Sequence, residues 1–313
     1  MKYIQDIQDI INEMELNQQP INEIAHYTSI VALNSIINGI SILETSEAYL
    51  TLRATYALET DDPDELKEGF EFLIEMLSYI EEGSIDKCRL TTYMDDVKAS
   101  DRFNHFSEEE IKRWLFGGKR TPFIISFSRY INKLSMWQTP YAKNGEGVCL
   151  VFNFSTMVNK TEFININNPF PITYGKRLGY LNYKNLFYDL IRWEYHVFVK
   201  KVKCLSNKDD IISQKLQSLE EMCAFISSYF KRENWSFQQE VRIMCTTIVD
   251  NPSCVKSDEK GRRFVEVPVP ISCLKQVILG PKVKDDYVNE IREKLTPYGF
   301  SPDNIIKSKE PLQ

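Results

Sequence analysis

Apolar residues recur along this chain at two periods, one near 3.6 and one near 2, and the alternation between them divides it into segments. At the start, Ile4, Ile7, Ile10, Ile11 and Met14 fall at helical spacing. Glu23 to Thr28 alternates and predicts a short strand; Val31 to Ile37 predicts a helix, with Gly39 as its natural stop. Asp62-Pro63 opens another helix, since proline suits a first turn where its missing N–H sacrifices no bond. The apolar stripe of that helix is Leu66, Phe70, Leu73, Ile74, Leu77 and Ile80. Ser107 and Glu110 stand at capping-box spacing before Ile111 to Trp114, and Gly117-Gly118 ends that segment.

Beyond Pro122 the period shortens. Phe123 to Ser128 predicts a strand, and Asn144-Gly145-Glu146-Gly147 is a turn signal feeding a second, Val148 to Phe154. Residues 182–234 return to helical spacing, with Ile211, Ile212, Leu216, Leu219, Met222, Cys223, Ile226 and Phe230 on one apolar face. Strands over 240–249, 263–269 and 275–279 follow, then a helix over 285–296. Regular β-α-β alternation is absent, so the order predicts an α+β fold, not a doubly wound sheet. Segments 64–116 and 182–234 read as long helical insertions on a sheet core, and no linker marks a boundary, so 1–313 reads as a single domain.

Composition narrows this picture modestly. A chain of 313 residues, 43% hydrophobic and 26% charged, has the balance of a soluble globular protein. The net charge of −6 offers no basic excess for nucleic acid, and Lys119-Arg120, Lys200-Lys201-Lys203 and Arg262-Arg263 read as solvated basic spots. Seven cysteines with no Cys-x-x-Cys spacing fit buried thiols in a reducing compartment. The first residues lack a signal-peptide core, and no apolar run approaches the roughly 18 residues of a membrane span. The expectation is a cytoplasmic protein that needs no membrane and, with three histidines, no metal.

Candidate chemistry concentrates in three strands. Glu240 and Arg242 lie two apart and therefore point to one face of their strand, where unpaired charges would be costly to bury. A carboxylate so placed can hold a reacting sugar or pair structurally with the guanidinium. His26 shares a face with Ile24 and Thr28, and its imidazole can bond a ligand hydroxyl or a backbone group. Ser126 and Ser128 share a face opposite Phe123, Ile125 and Phe127, either as ligand-facing hydroxyls or as a solvated edge. Trp137 and Tyr141 are four apart and would form an aromatic wall on a helical turn, or core packing; Pro140 argues for irregular backbone between them. No Gly-x-Ser-x-Gly elbow, Walker loop, dinucleotide glycine fingerprint, His-Glu-x-x-His or kinase signature occurs.

In series, His26-Tyr27-Thr28-Ser29, Ser126-Phe127-Ser128, Met136-Trp137 with Tyr141-Ala142, Gly145-Glu146-Gly147, Lys231 with Trp235, Glu240-Val241-Arg242 and Val277-Ile278-Leu279-Gly280 resemble the bacterial family DUF2971. Asp61-Asp62-Pro63-Asp64-Glu65 resembles an Asn-Asp-Pro-x-Glu motif usual there, with its first Asn replaced. That family in turn resembles the ADP-ribosyltransferase superfamily, whose three motif strands carry His or Arg, then Ser-x-Ser or Tyr, then Glu or Gln. The resemblance implies a mixed, largely antiparallel sheet core and NAD as substrate. It implies that Glu240, Ser126 and His26 are catalytic, with His26, Tyr27, Ser126, Ser128, Trp137, Tyr141 and Arg242 binding NAD. Tyr27, Trp137 or Tyr141 would stack on nicotinamide; Arg242 would hold Glu240 or meet the pyrophosphate. The implied function is a toxin or anti-phage effector that transfers ADP-ribose to a nucleic acid or protein and answers to a regulatory or antitoxin partner. The alternatives are an NAD glycohydrolase or an inactive ligand-binding or protein-interaction module.

Overall fold

Alternation of apolar and polar residues places most of the strands. A computed structural model of the protein describes residues 21, 23–42, 47–60, 69, 122–154, 161, 164–166, 169–174, 228–247 and 252–311. The N-terminal helical pattern, the Asp62-Pro63 and Ser107 helix starts, and nearly all of segments 64–116 and 182–234 lie outside those residues. Two compact units divide the chain. One is Met1–Gln19, Ala57–Pro122 and Ile172–Glu233; the other is Pro20–Tyr56, Phe123–Pro171 and Asn234–Gln313.

The second unit is mixed α+β and dominated by a sheet. In chain order its elements begin with strand β1 (Ile24–Thr28), helix α1 (Ile30–Asn38), β2 (Ser41–Ile42) and β3 (Ala48–Tyr56). Next come β4 (Phe123–Ser128), the short helix α2 (Leu134–Trp137), β5 (Val148–Phe152), β6 (Ile164–Ile166) and β7 (Phe170–Pro171). In the first unit, β8 (Thr173–Tyr174) and β9 (Phe230–Lys231) form a small parallel pair. The second unit then closes with β10 (Glu240–Thr247), β11 (Val255–Ser257), β12 (Arg263–Pro270), β13 (Leu274–Leu279), helix α3 (Asp286–Leu295) and β14 (Ile305–Lys307).

Among the described residues twelve strands join in one sheet, with the path β11-β12-β3-β4-β1-β5-β13-β14 and with β10 paired to β4, β6 and β7. Every pairing in it is antiparallel except β13 with β14. A strand covered on both faces carries a near-continuous apolar run, as in β5, where every residue is buried; β10 is buried almost throughout yet carries Glu240 and Arg242. Helix α1 starts where the Ser29 hydroxyl accepts from the Ala32 amide at 3.1 Å, and it buries Leu33 and Ile37.

Several expectations need correction. The end of segment 182–234 is not helical: Phe230 belongs to β9, and Glu233–Gln238 forms a 3-10 turn. Phe230 completes a helical stripe in the sequence, but its pairing with Thr173 is set by a partner far away in the chain. Strand β5 stops at Phe152, and the Asn153 amide turns to the Cys273 carbonyl at 2.8 Å. Strand β3 was not anticipated, although Leu50, Leu52, Ala54 and Tyr56 are buried in alternation with more exposed Thr51, Arg53 and Thr55.

Trp137 and Tyr141 do not share a helical turn. Helix α2 ends at Trp137, whose indole is fully buried and meets the Tyr27 ring edge-on at 5.2 Å between centroids. The indole N–H donates to Asn132 Oδ1 at 2.9 Å, which satisfies it inside the core. Burying a side chain of that size stabilises a fold by ~1.5–3 kcal/mol or more.

Candidate functional site

The β4–β10 ladder fixes the polar centre. Its register pairs Glu240 with Ser128 and Arg242 with Ser126, so all four side chains lie on one face. The Ser126 hydroxyl donates to Glu240 Oε1 at 2.7 Å, and Arg242 Nε donates to the same oxygen at 2.7 Å. Both ions are withdrawn from water, Arg242 at 1% exposure and Glu240 at 3%. Charge-assisted bonds of this length in a poorly hydrated setting hold a carboxylate in one orientation.

The turn before β10 aims that carboxylate. Gln239 sits at φ 43°, a left-handed conformation unusual for a side-chain-bearing residue. Two bonds from the end of β4 pin it: the Ser128 hydroxyl donates to the Gln238 carbonyl at 2.6 Å, and the Arg129 amide to the Gln239 carbonyl at 2.9 Å. Ser126 and Ser128 therefore differ in kind. Ser126 is exposed and touches Glu240; Ser128 is buried and fastens the turn.

A split in the sheet creates the adjacent cleft. Strand β3 pairs with β4 at Phe123 and Ile124, and β1 joins the same edge at Ser128. Among the described residues no strand pairs with that edge at Ile125–Phe127. One of its carbonyls is taken by a side chain: His26 Nδ1 lies 3.0 Å from the Ser126 oxygen. A carbonyl only accepts, so Nδ1 carries the proton. Burial lowers the His26 pKa from its ordinary 6.5, more than its bond to the Ser126 carbonyl raises it. At neutral pH the imidazole is uncharged and Nε2 is left as an acceptor.

Where β1 meets β4, Ala25 pairs with Ser128, which puts His26 on the opposite face from the serine hydroxyls. Ser126 joins the two sides, its main chain bonded to His26 and its hydroxyl to Glu240. His26 and Thr28 line a cleft of about 360 Å³, together with Ala32, Ser35 and Ile36 of α1, Thr51 and Arg53 of β3, and Glu266 of β12. Arg53 and Glu266 went unremarked in the sequence; the alternation of β3 was the signal that would have exposed Arg53.

Other candidate residues take different positions. Tyr27 and Trp137 belong to a core cluster with Ala25, Met136, Ala142, Cys149, Val151 and Ile278. The Tyr27 hydroxyl donates to the Tyr130 carbonyl at 2.9 Å, and burial raises its pKa. Tyr141 lies at the surface, 38% exposed. The glycine motifs have a packing cause: a Cβ on Gly147 would come within 2.5 Å of the Thr28 carbonyl, and one on Gly280 would strike the Gly145 carbonyl. Burial pushes the Cys149 and Cys245 thiols up to about 12, so neither supplies a nucleophile at neutral pH. Among the described residues no group of His, Cys, Asp and Glu is arranged to hold a metal ion, and no helix is long and apolar enough to cross a membrane.

Fold and site together define a mixed α+β protein whose mostly antiparallel sheet opens beside a buried glutamate–arginine pair. The family model described as "Protein of unknown function (DUF2971)" matches residues 136–243, so that stretch of the chain is similar to the DUF2971 family. The matched segment contains Glu240 and Arg242, while His26 and Ser126 precede it. No curated protein and no solved structure matches the chain.

Proposed function

We propose that this protein is an ADP-ribosyltransferase-like enzyme that cleaves the nicotinamide–ribose bond of NAD and transfers ADP-ribose to a nucleic acid or protein. The observation that carries this reading is the continuous link from His26, which lines a cleft of ligand size, through the Ser126 main chain and hydroxyl to Glu240 and Arg242. His26 Nε2 accepts from a ribose hydroxyl. The nicotinamide C–N bond breaks with its electron pair leaving on nicotinamide, and positive charge develops on the ribose. Glu240, fixed by Ser126 and Arg242, accepts from the 2′-hydroxyl and stabilises that charge more in the transition state than in the ground state. Attack by a macromolecular hydroxyl, amide or base completes transfer; attack by water makes the enzyme an NAD glycohydrolase. The biological role consistent with this chemistry is a toxin or anti-phage effector held by a regulatory or antitoxin partner.

A second reading, an inactive ligand-binding or interaction module of the same fold, is favoured by one observation: Glu240 is 3% exposed and already engaged by two donors. Nicotinamide release from NAD separates the two. The enzyme reading expects release by the wild type and loss of release in Glu240→Gln. The module reading expects none from either protein, even with cell extract supplied as acceptor.

A further inference from the structure

We propose that Arg53 is the anion-binding residue of the cleft and takes the pyrophosphate of the dinucleotide; this rests on the NAD reading above. Strand β3 buries Leu50, Leu52 and Ala54 while presenting Arg53 as exposed. Among the described residues lining the cleft, Arg53 is the cation, facing a neutral His26 and a single carboxylate, Glu266.

Glu266 stands directly across from Arg53 in the β3–β12 ladder. It nevertheless accepts from Lys256 Nζ at 2.6 Å, and among the described residues it forms no ion pair with Arg53. The Arg53 guanidinium carbon instead lies 4.5 Å from the centre of the Phe264 ring. A ring under its flat face orients a guanidinium and leaves the in-plane N–H donors available. Among the described residues that guanidinium makes no hydrogen bond. Its planar fork matches the oxygens of a phosphate pair, and a cleft-lining position limits screening by salt.

Arg242 is committed elsewhere. Arg242 is 1% exposed and bonded to Glu240, so it positions the carboxylate and Arg53 is left to meet phosphate. With His26 on β1 and Arg53 on β3, the two lips of the split hold different parts of one ligand: ribose on one side, phosphates on the other.

The test is calorimetric binding at low salt, using carba-NAD, whose nicotinamide bond resists cleavage, and nicotinamide riboside, which lacks phosphates. The proteins are the wild type, Arg53→Gln and Arg53→Lys. The expected result is a roughly 10- to 100-fold weaker Kd for carba-NAD in Arg53→Gln, partial recovery in Arg53→Lys, and unchanged riboside binding. Equal carba-NAD affinity in Arg53→Gln and wild type overturns the role of Arg53 while leaving the NAD reading standing. An equal loss for both ligands also overturns it, because Arg53 then only shapes the cleft. Absence of binding of either ligand by the wild type overturns the NAD reading and this inference with it.

Discussion

Arg242 and Arg53 occupy nearby strands of one sheet and do opposite things. Arg242 is almost wholly withdrawn from water, with its Nε on a carboxylate that is equally withdrawn. Arg53 is exposed at the cleft, resting on a ring, with its cross-strand carboxylate taken by a lysine. A buried guanidinium must be paired or the fold suffers, so its partner is fixed; an exposed one is held loosely enough to exchange water for a ligand. The same side chain is thus a positioning device in one place and, in the proposal above, a recognition device in the other.

The sharpest way to break this contrast is to remove each arginine. Arg242→Leu leaves Glu240 buried without its guanidinium and is expected to destabilise the unit by ~3–5 kcal/mol in denaturant unfolding. Arg53→Gln is expected to leave the unfolding midpoint within error. Equal losses in the two variants would erase the distinction.

Glu240→Gln keeps the shape of the side chain but removes the charge that the proposed transition state would need. Nicotinamide release is expected to fall ~10²–10³-fold, the usual size for one electrostatic stabiliser. Ser126→Ala removes the hydroxyl link to Glu240 and spares the main-chain bond to His26. A hydrogen bond to a charged group contributes ~1.5–3 kcal/mol, so release is expected to fall about 10- to 100-fold, chiefly in kcat.

Acidification gives a smaller effect. His26 has a lowered pKa in the fold, so the unfolded chain takes up its proton first. Above the ordinary value of 6.5 both states are neutral and His26 adds no slope; below it, stability falls with pH until the folded imidazole also protonates. Ligand binding is expected to weaken over that lower range as Nε2 loses its acceptor lone pair, and His26→Gln is expected to remove the dependence. Smallest of all is Lys256→Ala. Its pair with Glu266 is 52% and 39% exposed, and its loss is expected to change stability by no more than ~1 kcal/mol.

The strands that carry the site were legible because each alternates over a stretch bounded by turn residues. β1, β4, β10, β12 and β13 all lie where the pattern put them. The same-face relation of Glu240 and Arg242 followed from a period of two and needed no partner. What could not be read is whatever depends on pairing between distant segments. Ser126 and Ser128 are equivalent in the sequence, yet the turn before β10 covers one and leaves the other exposed. Trp137 and Tyr27 are equally suited to a wall or a core, and only the fold puts them edge to face in the interior. Arg53 gains its meaning from where β3 leaves β4 and from the Lys256–Glu266 pair on the far side of β12, neither of which is a local property.

The measurement that bears most directly on the central claim is nicotinamide release from NAD by the wild type and by Glu240→Gln, with melting temperatures recorded for both. The expected result is release by the wild type and a ~10²–10³-fold slower rate in the variant at a similar melting temperature. Equal rates in the two proteins, or no release by a folded wild type supplied with acceptor, would contradict it.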